Sequence, residues 1–203
     1  MKLMKQYFIF KKNQKIYCLI FLMFIFAGFF PCSSPAQDDG QYAPTLTGIS
    51  LNSGFTYDPK DDTYFSQVSV FKIWDYDKIW FHDAPEDLRY KVEACLGASS
   101  RNGDARVIAN VGMLAMYYLD GLATKNFRPY IEGGIGVIYT DYRVENQAYR
   151  FNFNPQAGIG IEFNKNNSAN WFMALRAHHI SNGGLNDSNR GQNSVVFMFG
   201  QYF

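Results

Sequence analysis

The polar stretch "HISNGG" (179–184) brings a histidine, a serine and a glycine-rich turn together near the end of the chain. On a β-strand, side chains two residues apart share a face and lie roughly 6.5–7 Å apart at Cα. At that spacing the imidazole of His179 can reach the hydroxyl of Ser181 and act as its general base, which would make the serine a nucleophile. The turn from Asn182 to Gly184 offers N–H groups to an oxyanion. The alternative interpretation is a polar loop in which these residues do no chemistry.

The first 36 residues differ in composition from the rest of the chain. Five lysines are followed by an apolar run from Ile16 to Phe30, and Ser34-Pro35-Ala36 supplies the small residues that a signal peptidase reads. The apolar run is shorter than the roughly 20 residues of a transmembrane helix, so a cleaved signal peptide over 1–36 is favoured over a membrane anchor. Residues 37–203 then form one domain.

The composition of residues 37–203 gives no support to a disulfide-stabilised domain or to a nucleic-acid-binding protein. Cys95 is the only cysteine in that range, so an exported domain of this kind has no intramolecular disulfide. Its acidic residues slightly outnumber its basic ones, which gives no indication of a nucleic-acid partner.

After residue 43, apolar residues recur at every second position. In "LRYKVEACLGA" (88–98) one face is apolar and the other is mostly charged, and "FNFNPQAGIGIEF" (151–163) alternates in the same way. The strands are long, aromatic residues cluster near their ends, and the chain combines an export signal with no disulfide. Together these features favour an outer-membrane barrel, with apolar side chains toward lipid and polar ones toward the lumen. A soluble periplasmic β-sandwich is the alternative, because its strands alternate too.

The pattern therefore predicts an all-β fold, an eight-stranded antiparallel transmembrane β-barrel of the outer-membrane type. The last segment ends at Phe203, and a terminal aromatic residue is typical of bacterial outer-membrane proteins. A barrel of eight strands is filled by its own side chains. We expect the following charged residues to pair inside it: Arg89, Lys91, Glu93, Glu132, Glu162 and Arg176. The expected strands are 44–56, 63–74, 87–98, 105–118, 127–141, 149–163, 169–181 and 193–203.

One segment fits this topology poorly. "DYDKIWFHDAPED" (75–87) is long for a periplasmic turn, so either the second strand continues through Trp80 or the turn carries extra structure. His82 in this segment is expected to be a surface residue.

Strand parity places the two histidines of the opening stretch on opposite faces. His179 and Ser181 continue the apolar, lipid-facing side of the seventh strand, whereas His178 joins Arg176 toward the lumen. If both termini are periplasmic, the seventh strand ends at the cell surface, beside the leaflet that holds lipopolysaccharide. No metal site is indicated, since His178 and His179 diverge and no thiol or carboxylate cluster accompanies them.

The stretch "HISNGGLNDSNRGQN" (179–193), taken with the eight-strand pattern, resembles the lipid A 3-O-deacylase (PagL) family, also called acyloxyacyl hydrolase-like. The family pattern is His-x-Ser-Asn, a short loop, then Asn-x-Gly-x-Glu, and "FRPYIEGGIGV" (127–137) is similar to a further family strand. The resemblance implies an outer-membrane serine esterase that removes the 3-O-linked acyl chain from lipid A of lipopolysaccharide without a cofactor. It assigns these roles: His179 the general base, Ser181 the nucleophile, Asn182 and Gly184 the oxyanion donors, Asn189 and Gly191 the loop motif.

The chain departs from the family pattern at position 193, where Asn193 stands in place of the triad acid. In a serine triad the acid holds the imidazole in its productive tautomer, and changing it to an amide can cost roughly 10⁴ in rate. The Asn193 carbonyl can still accept an N–H hydrogen bond, and Asp187 in the same loop is another candidate. The alternative function is a catalytically weakened or inactive barrel with a lipopolysaccharide-binding or structural role in the envelope.

Overall fold

The chain folds into one closed antiparallel barrel in which each strand pairs with its neighbours in the sequence, and the first strand pairs with the last. The computed structural model describes residues 46–60, 63–80, 82–101, 104–165 and 168–203, so the expected signal peptide 1–36 lies outside the described residues. The eight-stranded prediction is confirmed. The strands are β1 (Leu46–Asp58), β2 (Tyr64–Asp75), β3 (Leu88–Arg101), β4 (Asp104–Tyr118), β5 (Phe127–Thr140), β6 (Phe151–Lys165), β7 (Ser168–Ile180) and β8 (Gln192–Tyr202).

The outer wall of the barrel is apolar. Large side chains stand out from it on every second residue, and Leu96 and Ile159 are 64% and 63% exposed. Rows of exposed aliphatic and aromatic side chains are expected where a barrel wall meets lipid rather than water. Within the described residues, no helix is long and apolar enough to cross a membrane.

A buried ion cluster fills the middle of the lumen. The Arg176 guanidinium binds both carboxylates: Nε lies 2.5 Å from Glu132 Oε1, and Nη1 lies 2.7 Å from Glu93 Oε1. Lys91 Nζ lies 3.4 Å from Glu93 and 3.5 Å from Glu132, so two cations face two anions. Gln156 accepts a further bond from Arg176, at 3.1 Å. The cluster ties β7 to β3, β5 and β6, which fixes the strand that leads to the polar loop.

The expected lumenal pairing is confirmed for these four charged residues and is incomplete for the other two. Glu162 is buried but accepts a hydrogen bond from the Tyr118 hydroxyl at 2.6 Å. Arg89 lies near the barrel rim, where its Nε is 3.3 Å from Asp75 Oδ1. Arg89 stands at the start of β3, beyond the central layer, so its side chain reaches the polar rim instead.

The long segment after β2 is a turn that carries extra structure, not a continuation of the strand. It contains a short helix, α1 (Tyr76–Trp80). The Trp80 ring packs edge-on against Tyr90, with centroids 5.6 Å apart, and Lys78 pairs with Asp75 at 2.8 Å. His82 is exposed, as expected, and its Nδ1 lies 2.7 Å from the Trp80 carbonyl oxygen. This end of the barrel also holds the start of β1 and the end of β8.

Candidate active site

The polar loop, residues 181–191 between β7 and β8, lies at the end of the barrel opposite the start of β1 and the end of β8. The backbone of Ser181 prolongs β7 against β6 through two hydrogen bonds with Phe153, of 2.8 and 3.1 Å. The β5–β6 loop supports the β7–β8 loop from the side: Ala148 N donates to Ser188 O at 2.9 Å, and Arg190 N donates to Asn146 O at 2.8 Å. These backbone bonds give the loop a defined path between its two strands.

The two adjacent histidines point to opposite sides of the wall, as parity predicted. His178 is 7% exposed in the lumen, where its ring stacks on Phe65 with centroids 6.4 Å apart. His179 and Ser181 are half-buried on the outer face. The histidine and serine that could do chemistry therefore stand on the lipid side of the barrel, next to the loop.

The imidazole of His179 is held by Asn193, its neighbour on β8. The two residues are paired across the strands, and His179 Nδ1 lies 2.6 Å from Asn193 Oδ1. A side-chain carbonyl oxygen only accepts hydrogen bonds, so in the neutral ring Nδ1 carries the proton and Nε2 has the free lone pair. This is the tautomer that a general base for a serine hydroxyl requires. Asp187, the other candidate acid, is not the partner of this nitrogen.

Gly191 leaves space for the same ring. A β-carbon at Gly191 would lie 2.6 Å from His179 Cε1 and 3.3 Å from Nε2. The Cε1–Nε2 edge of the imidazole therefore occupies the space that a side chain at position 191 would need.

A β-bulge brings an aspartate into the site. Thr56 pairs with Ser194, but Asp58 pairs with Asn193, so β1 contributes one extra residue, Tyr57, at this point. Bulges re-aim the side chains that follow them. Regular alternation from the buried Thr56 would turn Asp58 into the lumen. The bulge places it instead beside Asn193.

Asp58 extends the hydrogen-bonded chain that starts at His179. Its Oδ2 accepts from Asn193 Nδ2 at 3.0 Å, and its carboxylate forms an ion pair with Arg190, whose Nη1 also lies 3.4 Å from Oδ2. The Asp58 and Arg190 side chains are 43% and 42% exposed. Sequence reasoning assigned no role to either residue. Arg190 lies in the motif at a position that the family pattern leaves variable, and Asp58 lies more than 100 positions away, beyond the expected first strand.

The turn after Ser181 is ordered by its own hydrogen bonds. The Asn182 N–H donates to Asn189 Oδ1 at 2.7 Å, and the Gly184 N–H donates to Asn182 Oδ1 at 2.9 Å. Asn182 Nδ2 donates to the carbonyl oxygens of Ser188 and Asn186, at 3.1 and 3.3 Å. The expected oxyanion donors thus have acceptors inside the loop. The N–H of Gly183 is different: within the described part of the chain it has no hydrogen-bond acceptor.

A cleft of about 860 Å³ opens beside the loop at the same end of the barrel. The ends of the β3–β4 hairpin, the β5–β6 loop and the β7–β8 loop form its walls. Two of its lining residues, Asn186 and Ser188, belong to the β7–β8 loop. Four others are arginines: Arg101, Arg106, Arg143 and Arg150. Arg106 pairs with Asp104 at 3.0 Å and Arg150 with Asp141 at 2.7 Å. Basic residues slightly outnumber acidic ones in the lining.

The family model described as Lipid A 3-O-deacylase (PagL) matches residues 64–201, about two thirds of the chain. The chain belongs to the lipid A 3-O-deacylase (PagL) family. This membership and the eight-stranded barrel place the protein in the outer membrane, and the family's activity is that of a hydrolase. The family match begins after Asp58, so it covers His179, Ser181 and Asn193 but not the aspartate that contacts Asn193.

A solved structure of the same family agrees with the fold. The chain is 24% identical to the protein in "Crystal structure of the outer membrane enzyme PagL", over 75% of this chain and 97% of that one, with a TM-score of 0.53. It is also similar to Neisserial surface protein A (NspA), at 11% identity over 77% and 93% of the two chains and a TM-score of 0.48. Comparison with proteins of curated function gave no match.

Among the residues that the structure describes, no three His, Cys, Asp or Glu side chains lie close enough together to hold a metal ion.

Proposed function

We propose that this protein is an outer-membrane serine esterase that removes the 3-O-linked acyl chain from lipid A of lipopolysaccharide. The observation that carries the proposal is the 2.6 Å contact between His179 Nδ1 and Asn193 Oδ1, which leaves Nε2 available to a serine on the same face. The site stands on the outer wall near the loop end of the barrel. There it can meet a membrane lipid without that lipid leaving the bilayer.

The proposed reaction has two halves. Ser181 Oγ forms a bond to the ester carbonyl carbon while its proton passes to His179 Nε2. The tetrahedral intermediate collapses, the bond between the acyl carbon and the sugar 3-oxygen breaks, and the imidazolium gives its proton to that oxygen. A water molecule then attacks the acyl-serine with the same base, which releases the fatty acid and restores Ser181.

Asn182 and Gly184 are the proposed oxyanion donors. Both N–H groups already have acceptors in the loop, so the oxyanion must share or replace those acceptors. The Gly183 N–H between them has no such competitor among the described residues, and we include it as a third donor. A donor with no acceptor to displace, such as the Gly183 N–H, can stabilise the developing charge without first breaking a hydrogen bond of the loop.

The arginine-lined cleft supports an anionic, phosphate-bearing substrate. Guanidinium groups bind phosphate oxygens in a bidentate manner. Asn186 and Ser188 line the cleft and belong to the same loop as the proposed oxyanion donors. A headgroup bound there would contact the loop that begins at the proposed nucleophile, Ser181.

Mass spectrometry of lipid A tests the proposal. Lipid A from cells that carry the protein is expected to lack one hydroxyacyl chain, and Ser181→Ala is expected to restore that chain. Heat-modifiable gel mobility establishes that the natural and the Ser181→Ala barrels are both folded. Unchanged lipid A beside a correctly folded natural barrel would refute the esterase.

The amide at position 193 favours one alternative, an inactive barrel of the same family that binds lipopolysaccharide or supports the envelope. It predicts no deacylation by the natural protein and a gain of activity with Asn193→Glu. That change is made together with Asp58→Asn, because a carboxylate at 193 would otherwise face the Asp58 carboxylate. Robust deacylation by the natural protein would eliminate this alternative.

A further inference from the structure

Asn193 can hold His179 in the productive tautomer only if its side-chain amide is turned the right way. With Oδ1 toward the ring, Nδ1 must carry the proton and Nε2 is a base. With the amide rotated by 180°, its NH₂ group would donate to Nδ1 and the proton would move to Nε2, the nitrogen that has to receive the proton of Ser181. An asparagine alone permits both arrangements, unlike the carboxylate that the family pattern has at this position.

Asp58 removes that freedom. An ionised carboxylate only accepts hydrogen bonds, so the Asn193 group that faces it must be the NH₂ group, at the observed 3.0 Å. The carbonyl oxygen is then left for His179. Arg190 keeps Asp58 in its ionised form through the ion pair, and Arg190 is itself anchored by its backbone bond to Asn146.

We propose that Asp58, held by Arg190, is a positioning residue for catalysis that orients the Asn193 amide and thereby fixes the His179 tautomer. The inference rests on the proposed esterase function. It assigns the role of the missing triad acid to two residues in series: Asn193 supplies the acceptor atom, and Asp58 supplies the charge that decides which atom it is.

Two observations favour this role over a purely structural contact between β1 and β8. The bulge at Tyr57 interrupts the regular pairing of these strands, so the local backbone departs from the ladder in the place where Asp58 meets Asn193. Both members of the ion pair are more than two fifths exposed, and such pairs contribute little to stability. Orientation of a neighbouring amide needs only a hydrogen bond, which exposure does not abolish.

The first measurement is the kinetics of Asp58→Asn. We expect kcat to fall about 10- to 100-fold, less than the loss on removing a direct triad acid, while KM changes by less than about threefold. Asp120→Asn is the matched control, because Asp120 forms a comparable ion pair with Arg128 at the opposite end of the barrel, with Nε to Oδ1 at 2.6 Å. The control is expected to keep the natural kcat.

Exchange of the two groups supplies the rescue. Asp58→Asn combined with Asn193→Asp places the carboxylate next to His179 and an amide behind it. The new carboxylate can only accept hydrogen bonds, so the ring again protonates at Nδ1, and kcat is expected to return at least to the natural value. If Asp58 only joined β1 to β8, kcat would not recover in the double variant. Asp58→Asn activity equal to the natural value, or a double variant no better than Asp58→Asn, would overturn the proposal.

The tautomer of His179 can be measured without catalysis, so it tests this inference independently of the proposed function. The chain has three histidines, so the imidazole ¹⁵N signals of His179 in detergent-solubilised barrel can be assigned by comparison with His179→Gln. We expect the ratio of Nδ1–H to Nε2–H to fall about threefold or more in Asp58→Asn. Arg190→Gln, which leaves Asp58 in place, is expected to shift the ratio less and in the same direction, and it replaces Asp58→Asn if that variant does not fold.

These outcomes are distinguishable. An inactive natural protein whose tautomer ratio depends on Asp58 would refute the esterase and retain the role of Asp58. If the natural protein is active and Asp58→Asn changes neither the tautomer ratio of His179 nor kcat, the esterase is retained and the role of Asp58 is refuted.

Discussion

Gly191→Ala tests whether the position of the His179 ring, rather than the barrel as a whole, determines activity. The new β-carbon would lie 2.6 Å from His179 Cε1, whereas ordinary contacts begin at 3.4 Å. The atom it meets is the far end of a side chain, so the barrel can accept the methyl group by moving the ring. The required displacement is about 0.8 Å, the difference between these two distances.

A displacement of this size disturbs both functions of the imidazole. It strains the 2.6 Å hydrogen bond to Asn193, and it moves Nε2 relative to Ser181. Since a misplacement of about 1 Å can cost about 100-fold in rate, we expect kcat to fall roughly 30- to 100-fold, or about 2–3 kcal/mol in activation free energy. The unfolding transition of the barrel is expected to change little, because no backbone atom is displaced.

The assay is the initial rate of fatty-acid release from lipopolysaccharide in detergent, with heat-modifiable mobility to establish folding. Gly121→Ala is the matched control, since a β-carbon at Gly121 would meet nothing within 4 Å. A folded Gly191→Ala barrel with a kcat within about threefold of the natural value would show that the ring position does not limit the reaction.

Three further changes test other parts of the site and its support. Arg176→Leu leaves the buried Glu93 and Glu132 without their guanidinium, so we expect the free energy of unfolding in urea to drop by about 3–5 kcal/mol; a loss below about 1 kcal/mol would contradict the role of the ion cluster. Asn189→Ala removes the acceptor of the Asn182 N–H and should lower kcat about tenfold and speed proteolysis of the loop, whereas unchanged protection would argue against an ordered turn. Arg143→Gln should raise KM for lipopolysaccharide several-fold with little effect on kcat, and an unchanged KM would remove the cleft from the proposed binding site.

Strand parity is the most reliable guide that the sequence offers to this fold. A period of two follows from backbone geometry, so the order of residues alone separates the lumenal His178 from the outward His179. The same period locates the eight strands and the buried charges Arg176, Glu93 and Glu132. Parity fails only where the strand geometry itself is irregular.

Asp58 marks that failure. It lies beyond the expected first strand, 44–56, so the sequence assigned it no facing. Regular alternation along the observed β1 would turn it into the lumen, and the extra residue Tyr57 places it beside Asn193 instead. The hydrogen bonds within the turn could not be predicted from the sequence either. The acceptor of the Asn182 N–H is the Asn189 side chain, seven residues away in a loop with no periodic pattern. Contacts between loops and bulges depend on three-dimensional packing that local propensity does not encode.

The asparagine at position 193 illustrates why a single substituted residue is weak evidence for lost function. A triad acid has two tasks, to accept the Nδ1 proton of the histidine and to favour the imidazolium that forms during attack. The Asn193 carbonyl performs the first task at 2.6 Å, provided that the amide is oriented, and Asp58 stands where it can provide both that orientation and a nearby negative charge. Because the charge is one residue further from the ring than in a direct triad, the second task is performed less well than the first. The expected result is therefore an enzyme slowed by weaker stabilisation of the imidazolium but still able to use Nε2 as a base, and the activity of the natural protein at neutral pH decides whether that residual base is enough.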